Sequence, residues 1–150
     1  MTAKSRISRR QAIGLLAGLL LPGPAGATPA ALRFDDLYSK VTVLGLEFSD
    51  KVKSLDGQTV IMRGFMAPPL KAEASFFVLT EIPMALCPFC SSDADWPDNI
   101  VVVYLGRRQT FVQFNRPIEV EGVLEHGSWT DPDTGFVSLL RLRDAVFHTV

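Results

Sequence analysis

The sequence predicts an all-β domain, a small closed barrel or sandwich of five or six short strands. Short runs rich in β-branched and apolar residues either alternate or are apolar on both faces. Glycine, proline and aspartate cluster between these runs, where turns need them. Helical period is confined to a possible lead-in around Leu32 to Tyr38.

Taken in order, Thr28 to about Ser39 reads as a short helical or irregular lead-in. Leu55-Asp56-Gly57 is a turn with glycine where positive φ is cheap, and it opens the alternating strand Thr59 to Met66. Ser75 to Thr80 is apolar on both faces, as expected of a central strand, and Ile100 to Leu105 is a run of the same kind ended by Gly106. Thr110 to Phe114 is a short strand candidate. Pro117 to Leu124 sets Glu119 and Glu121 outward against Ile118 and Val120. The turn Asp131-Pro132-Asp133-Thr134-Gly135 leads into Phe136 to Leu142. The longest irregular stretch, Glu81 to Asn99, holds both cysteines of the chain and is too apolar for a disordered segment.

The N-terminal residues read as an export signal rather than part of the fold. Lys4, Arg6, Arg9 and Arg10 form a basic region, Ala12 to Leu21 a short apolar core, and Ala25-Gly26-Ala27 a small-residue cleavage site. The apolar run is shorter than the roughly 20 residues a permanent span needs. Ser8-Arg9-Arg10-Gln11-Ala12-Ile13 has the twin-arginine pattern. Residues 1–27 are therefore expected to be a cleaved twin-arginine signal, and 28–150 a single domain, soluble in the periplasm. Beyond the signal, 11 Lys and Arg face all 16 Asp and Glu, a formal charge of −5. That balance argues against a nucleic-acid partner and against a polybasic membrane contact. The sequence holds no glycine-rich phosphate loop, serine nucleophile elbow or framed pair of catalytic carboxylates.

Several segments together resemble an exported bacterial family known as domain of unknown function 3299. They are Leu55-Asp56-Gly57, Gly64-Phe65-Met66-Ala67-Pro68, Phe76-Phe77-Val78-Leu79-Thr80, Pro97-Asp98-Asn99-Ile100-Val101 and Pro117-Ile118-Glu119-Val120-Glu121-Gly122, with a cysteine loop among them. The resemblance implies an OB-like β-barrel. It also implies an accessory periplasmic protein linked to an ABC-type transporter in metal or envelope transport. The family pattern places Cys-x-His in the loop. Here Cys87 matches the cysteine, Phe89 stands where the histidine would be, Cys90 follows it, and Asn99 fits the family asparagine.

Cys87-Pro88-Phe89-Cys90 admits three chemistries. As a dithiol it matches the active-site spacing of glutaredoxins, with Cys87 attacking as thiolate and Cys90 resolving the mixed disulfide. That reading needs a following helix and a βαβ unit, whereas Pro97 stops any helix soon after the motif. As a metal site, the two thiolates suit a soft or borderline cation, zinc ahead of copper. His126 is the candidate third ligand; His148, Asp93 and Asp95 are further donors, and Met62, Met66 and Met84 raise a copper(I) option. Methionines on strands are more often core filling. As a disulfide, Cys87 and Cys90 clip the loop in an oxidising compartment for about 2 kcal/mol. A binding or accessory module with a clipped or metal-holding loop is the preferred function. A thiol-disulfide oxidoreductase is the rival, and a pure interaction domain with structural cysteines is the third reading. Trp96 and Trp129 are read as covers of the barrel ends rather than partner-facing aromatics.

Overall fold

A computed structural model of the chain describes residues 28–42, 45–68, 75–85 and 96–150. The segment read as an export signal lies outside the described residues, as do Cys87 and Cys90. The fold is all-β. Its elements are β1 (Ala30–Ala31), a 3-10 turn (Phe34–Asp36), β2 (Tyr38–Thr42), β3 (Gly45–Phe48), α1 (Asp50–Leu55), β4 (Thr59–Met66), β5 (Phe76–Thr80), β6 (Ile100–Leu105), β7 (Pro117–Thr130) and β8 (Val137–Thr149).

Five strands close on themselves in the order β4-β5-β6-β8-β7, with β7 returning to β4 along Thr59–Phe65. Every pairing in this ring is antiparallel except β6 with β8. Counted along the chain, that is the strand order 1-2-3-5-4-1 of an OB-type Greek-key barrel. Closure removes the exposed strand edges that an open sheet of this size presents. β1 adds in parallel to β4, and β2 and β3 form a separate two-stranded sheet.

Burial follows the pattern of each strand. β4 alternates, burying Val60, Met62, Gly64 and Met66, whereas every residue of β5 is buried, as expected of a central strand. Glycine is required where strands crowd. A Cβ on Gly64 would lie 2.6 Å from the Thr80 carbonyl oxygen, at the point where β4 reaches β5. At the irregularity between Glu121 and Val123 of β7, a Cβ on Gly122 would lie 2.9 Å from the Ala145 Cβ.

The structure corrects several expectations. The lead-in contains a short strand and a 3-10 turn, and its last two residues already belong to β2. The β2–β3 hairpin and α1 were not expected. α1 has only six residues, too few to show a period; it is started by Ser49, whose hydroxyl accepts from the Val52 amide, and is held by burial of Val52. Thr110 to Phe114 is not a strand. The Gln109 side-chain amide instead bonds both backbone groups of Phe147, at 2.8 and 3.0 Å, taking the place of a neighbouring strand, while Phe111 packs edge-on to Phe77. β7 and β8 run well past the predicted limits, because charged Glu125 and Arg143 interrupt the apolar pattern without interrupting the ladder.

Candidate functional site

The cysteine-bearing connection, residues 81–99, joins β5 to β6, which are antiparallel neighbours. Cys87 and Cys90 themselves lie outside the described residues, with Asp93 and Asp95. What the structure describes is the base on which that loop stands.

On the exit side, Trp96 is 8% exposed, and its Nε1 donates to the Tyr38 hydroxyl at 2.9 Å. Tyr38 stacks on Phe48 with ring centroids 5.4 Å apart, and Phe48 meets the His126 imidazole edge-on at 5.1 Å. This row of rings connects the loop exit to the candidate ligand histidine. Burial pushes the Tyr38 pKa up to about 12, so its hydroxyl keeps its proton at neutral pH. Trp96 is thus a fixed, buried group, in keeping with a cover on the barrel.

His126 lies within β7 rather than beyond its end. Its position is set by the turn after α1, where Gly57 adopts φ of +73° and donates its amide to the Leu124 carbonyl. The preceding Asp56 thereby faces His126, and its Oδ1 contacts both the backbone amide, at 3.1 Å, and Nδ1, at 2.8 Å. The hydrogen bond from His126 is the main cause of a lowered Asp56 pKa. A carboxylate on Nδ1 orients an imidazole so that Nε2 can act as ligand or base. Sequence reading missed Asp56 because Leu-Asp-Gly registers as turn chemistry alone.

The remaining candidate donors are dispersed. His148 is exposed on β8, its Nε2 3.5 Å from Glu119, whereas His126 pairs with Leu140 farther along the same hairpin. Met62 and Met66 are buried in the barrel core, so they fill space rather than offer sulfur to a loop. Among the described residues, no group of three His, Cys, Asp or Glu is arranged to hold a metal ion.

Beside the loop base is a cleft of about 180 Å3, lined by the aromatic rings of Phe34 and Tyr38 and by Asp35, Glu81 and Asp98. Val41 and Asn99 complete its lining. It adjoins a larger groove of about 580 Å3 that shares Phe34, Asp35 and Glu81 and reaches Arg63 and Glu119, an ion pair 2.6 Å long.

The outer face of β5 and β6, with the loops that flank it, is where OB barrels commonly take ligands. Here Phe76, Val78, Val102 and Tyr104 are all buried. Phe136 and Trp129 of the β7–β8 hairpin stand over this face, 5.2 Å from Phe76 and 5.4 Å from Tyr104. The Arg143 guanidinium lies 4.1 Å from the Trp129 ring and 4.7 Å from that of Tyr104. Glu125 receives Nε of both Arg141, at 2.8 Å, and Arg143, at 3.2 Å. Burial raises the Glu125 pKa, but these hydrogen bonds outweigh it and leave the group below its usual range. Burial, then the nearby Asp131 carboxylate, pushes the Tyr104 hydroxyl up, and among the described residues that hydroxyl meets no partner in hydrogen-bonding geometry. Trp129 is therefore a brace between hairpin and barrel. Two arginines at alternate positions of an apolar strand were the sequence signal for this cluster.

A crystal structure of a DUF3299 family protein from Pseudomonas aeruginosa PAO1 superposes on this chain with a TM-score of 0.54. The alignment covers 82% of this chain and 97% of that one, at 15% sequence identity. The likeness is one of fold. It agrees with the barrel that the sequence resemblance implied. No family model and no curated protein matches the chain.

Proposed function

We propose that this chain is an exported, non-enzymatic binding or accessory module of the periplasm, and that its Cys87–Cys90 loop is either disulfide-clipped or holds a soft or borderline metal. The observation that carries the reading is the placement of residues 81–99 between two antiparallel barrel strands, with Trp96 tied to Tyr38 at the loop exit. A Cys-x-x-Cys catalyst needs a strand, the motif and a helix leading into a parallel βαβ unit, so that a helix dipole favours the thiolate. An antiparallel strand pair favours a loop that binds or braces over one that exchanges disulfides. The twin-arginine pattern supports periplasmic residence, with folding before export, so a thiol-bound zinc is compatible with loading in the cytoplasm. His126, whose imidazole Asp56 orients, is the third ligand this reading names. Service to an ABC-type transporter in the envelope extends the proposal and rests on the family resemblance alone.

The test is intact-mass and metal analysis of protein recovered from the periplasm under native conditions, beside turnover of a model dithiol and a model disulfide. The expected result is either an oxidised pair or one equivalent of zinc that is lost in Cys90→Ser, with no turnover in both cases. Free thiols that catalyse disulfide exchange would overturn it.

A further inference from the structure

We infer that the cleft beside the loop base, together with the adjoining edge of β2, docks an extended segment of a partner protein that sets basic and apolar side chains two residues apart. Three observations point to such an occupant. Val41 and Ile82 are large apolar side chains 59% and 54% exposed; Val41 lines the cleft, and Ile82 follows Glu81, which lines it too. The charged residues that line this cleft are Asp35, Glu81 and Asp98; Asp35 already faces the Arg33 guanidinium at 3.6 Å, which leaves Glu81 and Asp98 to a Lys or Arg of the segment. Finally, among the described residues β2 pairs only with β3. Along Ser39 to Val41 that leaves a strand edge beside the cleft, to which an extended chain can add through its backbone. Strand addition sends successive side chains to opposite faces, so a Lys for the carboxylates and an apolar residue for Val41, which share this cleft, stand two residues apart in the segment.

The inference names the partner chemistry for the accessory role proposed above and rests on that reading. Its test reads the cleft rather than the cysteines, so each can fail without the other. Trp96 donates to Tyr38, a cleft residue, and reports on occupancy by fluorescence once the second tryptophan is removed as Trp129→Phe. The probe is an acetylated hexapeptide, Lys-Ser-Val-Ser-Lys-Ser (the Lys-Val peptide), titrated at low and at moderate salt, beside a counterpart with Glu in place of Lys (the Glu-Val peptide). The Lys-Val peptide is expected to bind, and to weaken as salt screens the carboxylates. The exposed double substitution Val41→Lys, Ile82→Lys should weaken it by about tenfold or more with an unchanged far-UV spectrum, a loss of about 1.4 kcal/mol. Glu81→Gln with Asp98→Asn should flatten the salt dependence. Equal binding of the Glu-Val peptide, or undiminished binding to the Val41/Ile82 variant, overturns the inference. So does self-association in sedimentation that Val41→Lys abolishes, which would make a second copy of the chain the occupant.

Discussion

At the residue scale, the Trp96 indole ties the loop base to Tyr38 of β2, and the His126 imidazole of β7 meets Asp56 after α1. Tyr38→Phe keeps the ring and its stacking on Phe48 but leaves a buried indole N–H unmet. It is expected to cost about 1–3 kcal/mol, read by urea denaturation. The carboxylates predict the response to acid. Asp36, held by the hydrogen bond from Lys51, and Asp56, held by that from His126, both sit below their ordinary 3.8. Asp131 is also below 3.8, because amide and hydroxyl donors of its own turn outweigh burial, and Glu125 is below its ordinary 4.5. A lowered folded-state pKa means that the unfolded chain binds protons first as pH falls. The stability these groups contribute is complete above about pH 5 and is lost as pH drops through 4 toward the folded values. Urea midpoints measured across pH 2 to 6 should fall over that range, and the drop should be smaller in Glu125→Gln.

At the element scale, closure of the ring depends on backbone approach at Gly64, where the Thr80 carbonyl leaves no room for a methyl group. Gly64→Ala is expected to destabilise by about 1–3 kcal/mol through overpacking, measured by thermal or urea unfolding. β4, β5 and β6 were legible because their burial is set by the residues' own alternation or continuous apolarity. The β2–β3 hairpin was not: four of the five β2 residues are exposed, so no apolar period marks it. The ends of β7 and β8 were hidden for a different reason. Their ladder continues through residues whose charges are met across the strands, as Arg141 and Arg143 meet Glu125. The turn chemistry before β8 was legible, since the Asp131 side chain accepts from the amides of Asp133 and Thr134 and Gly135 takes positive φ.

At the scale of the whole molecule, the core of the described residues is built chiefly by the ring of strands, and in sequence the cysteines belong to the connection between β5 and β6. Replacing both cysteines by serine is therefore expected to leave the barrel folded and to cost no more than about 2 kcal/mol, with an unchanged far-UV spectrum. By itself the sequence determined the all-β class, the principal turns, the central strands and the stretch that carries the cysteines, because these depend on neighbours in the chain. The charge pattern likewise weighs against a nucleic-acid partner. Only the tertiary structure decided that β6 runs parallel to β8 and closes the ring, that Asp56 faces His126, and that Trp96 reaches Tyr38. Those pairs are separated by dozens of residues. Their contacts follow from strand register and barrel closure, which no local pattern of residue types records.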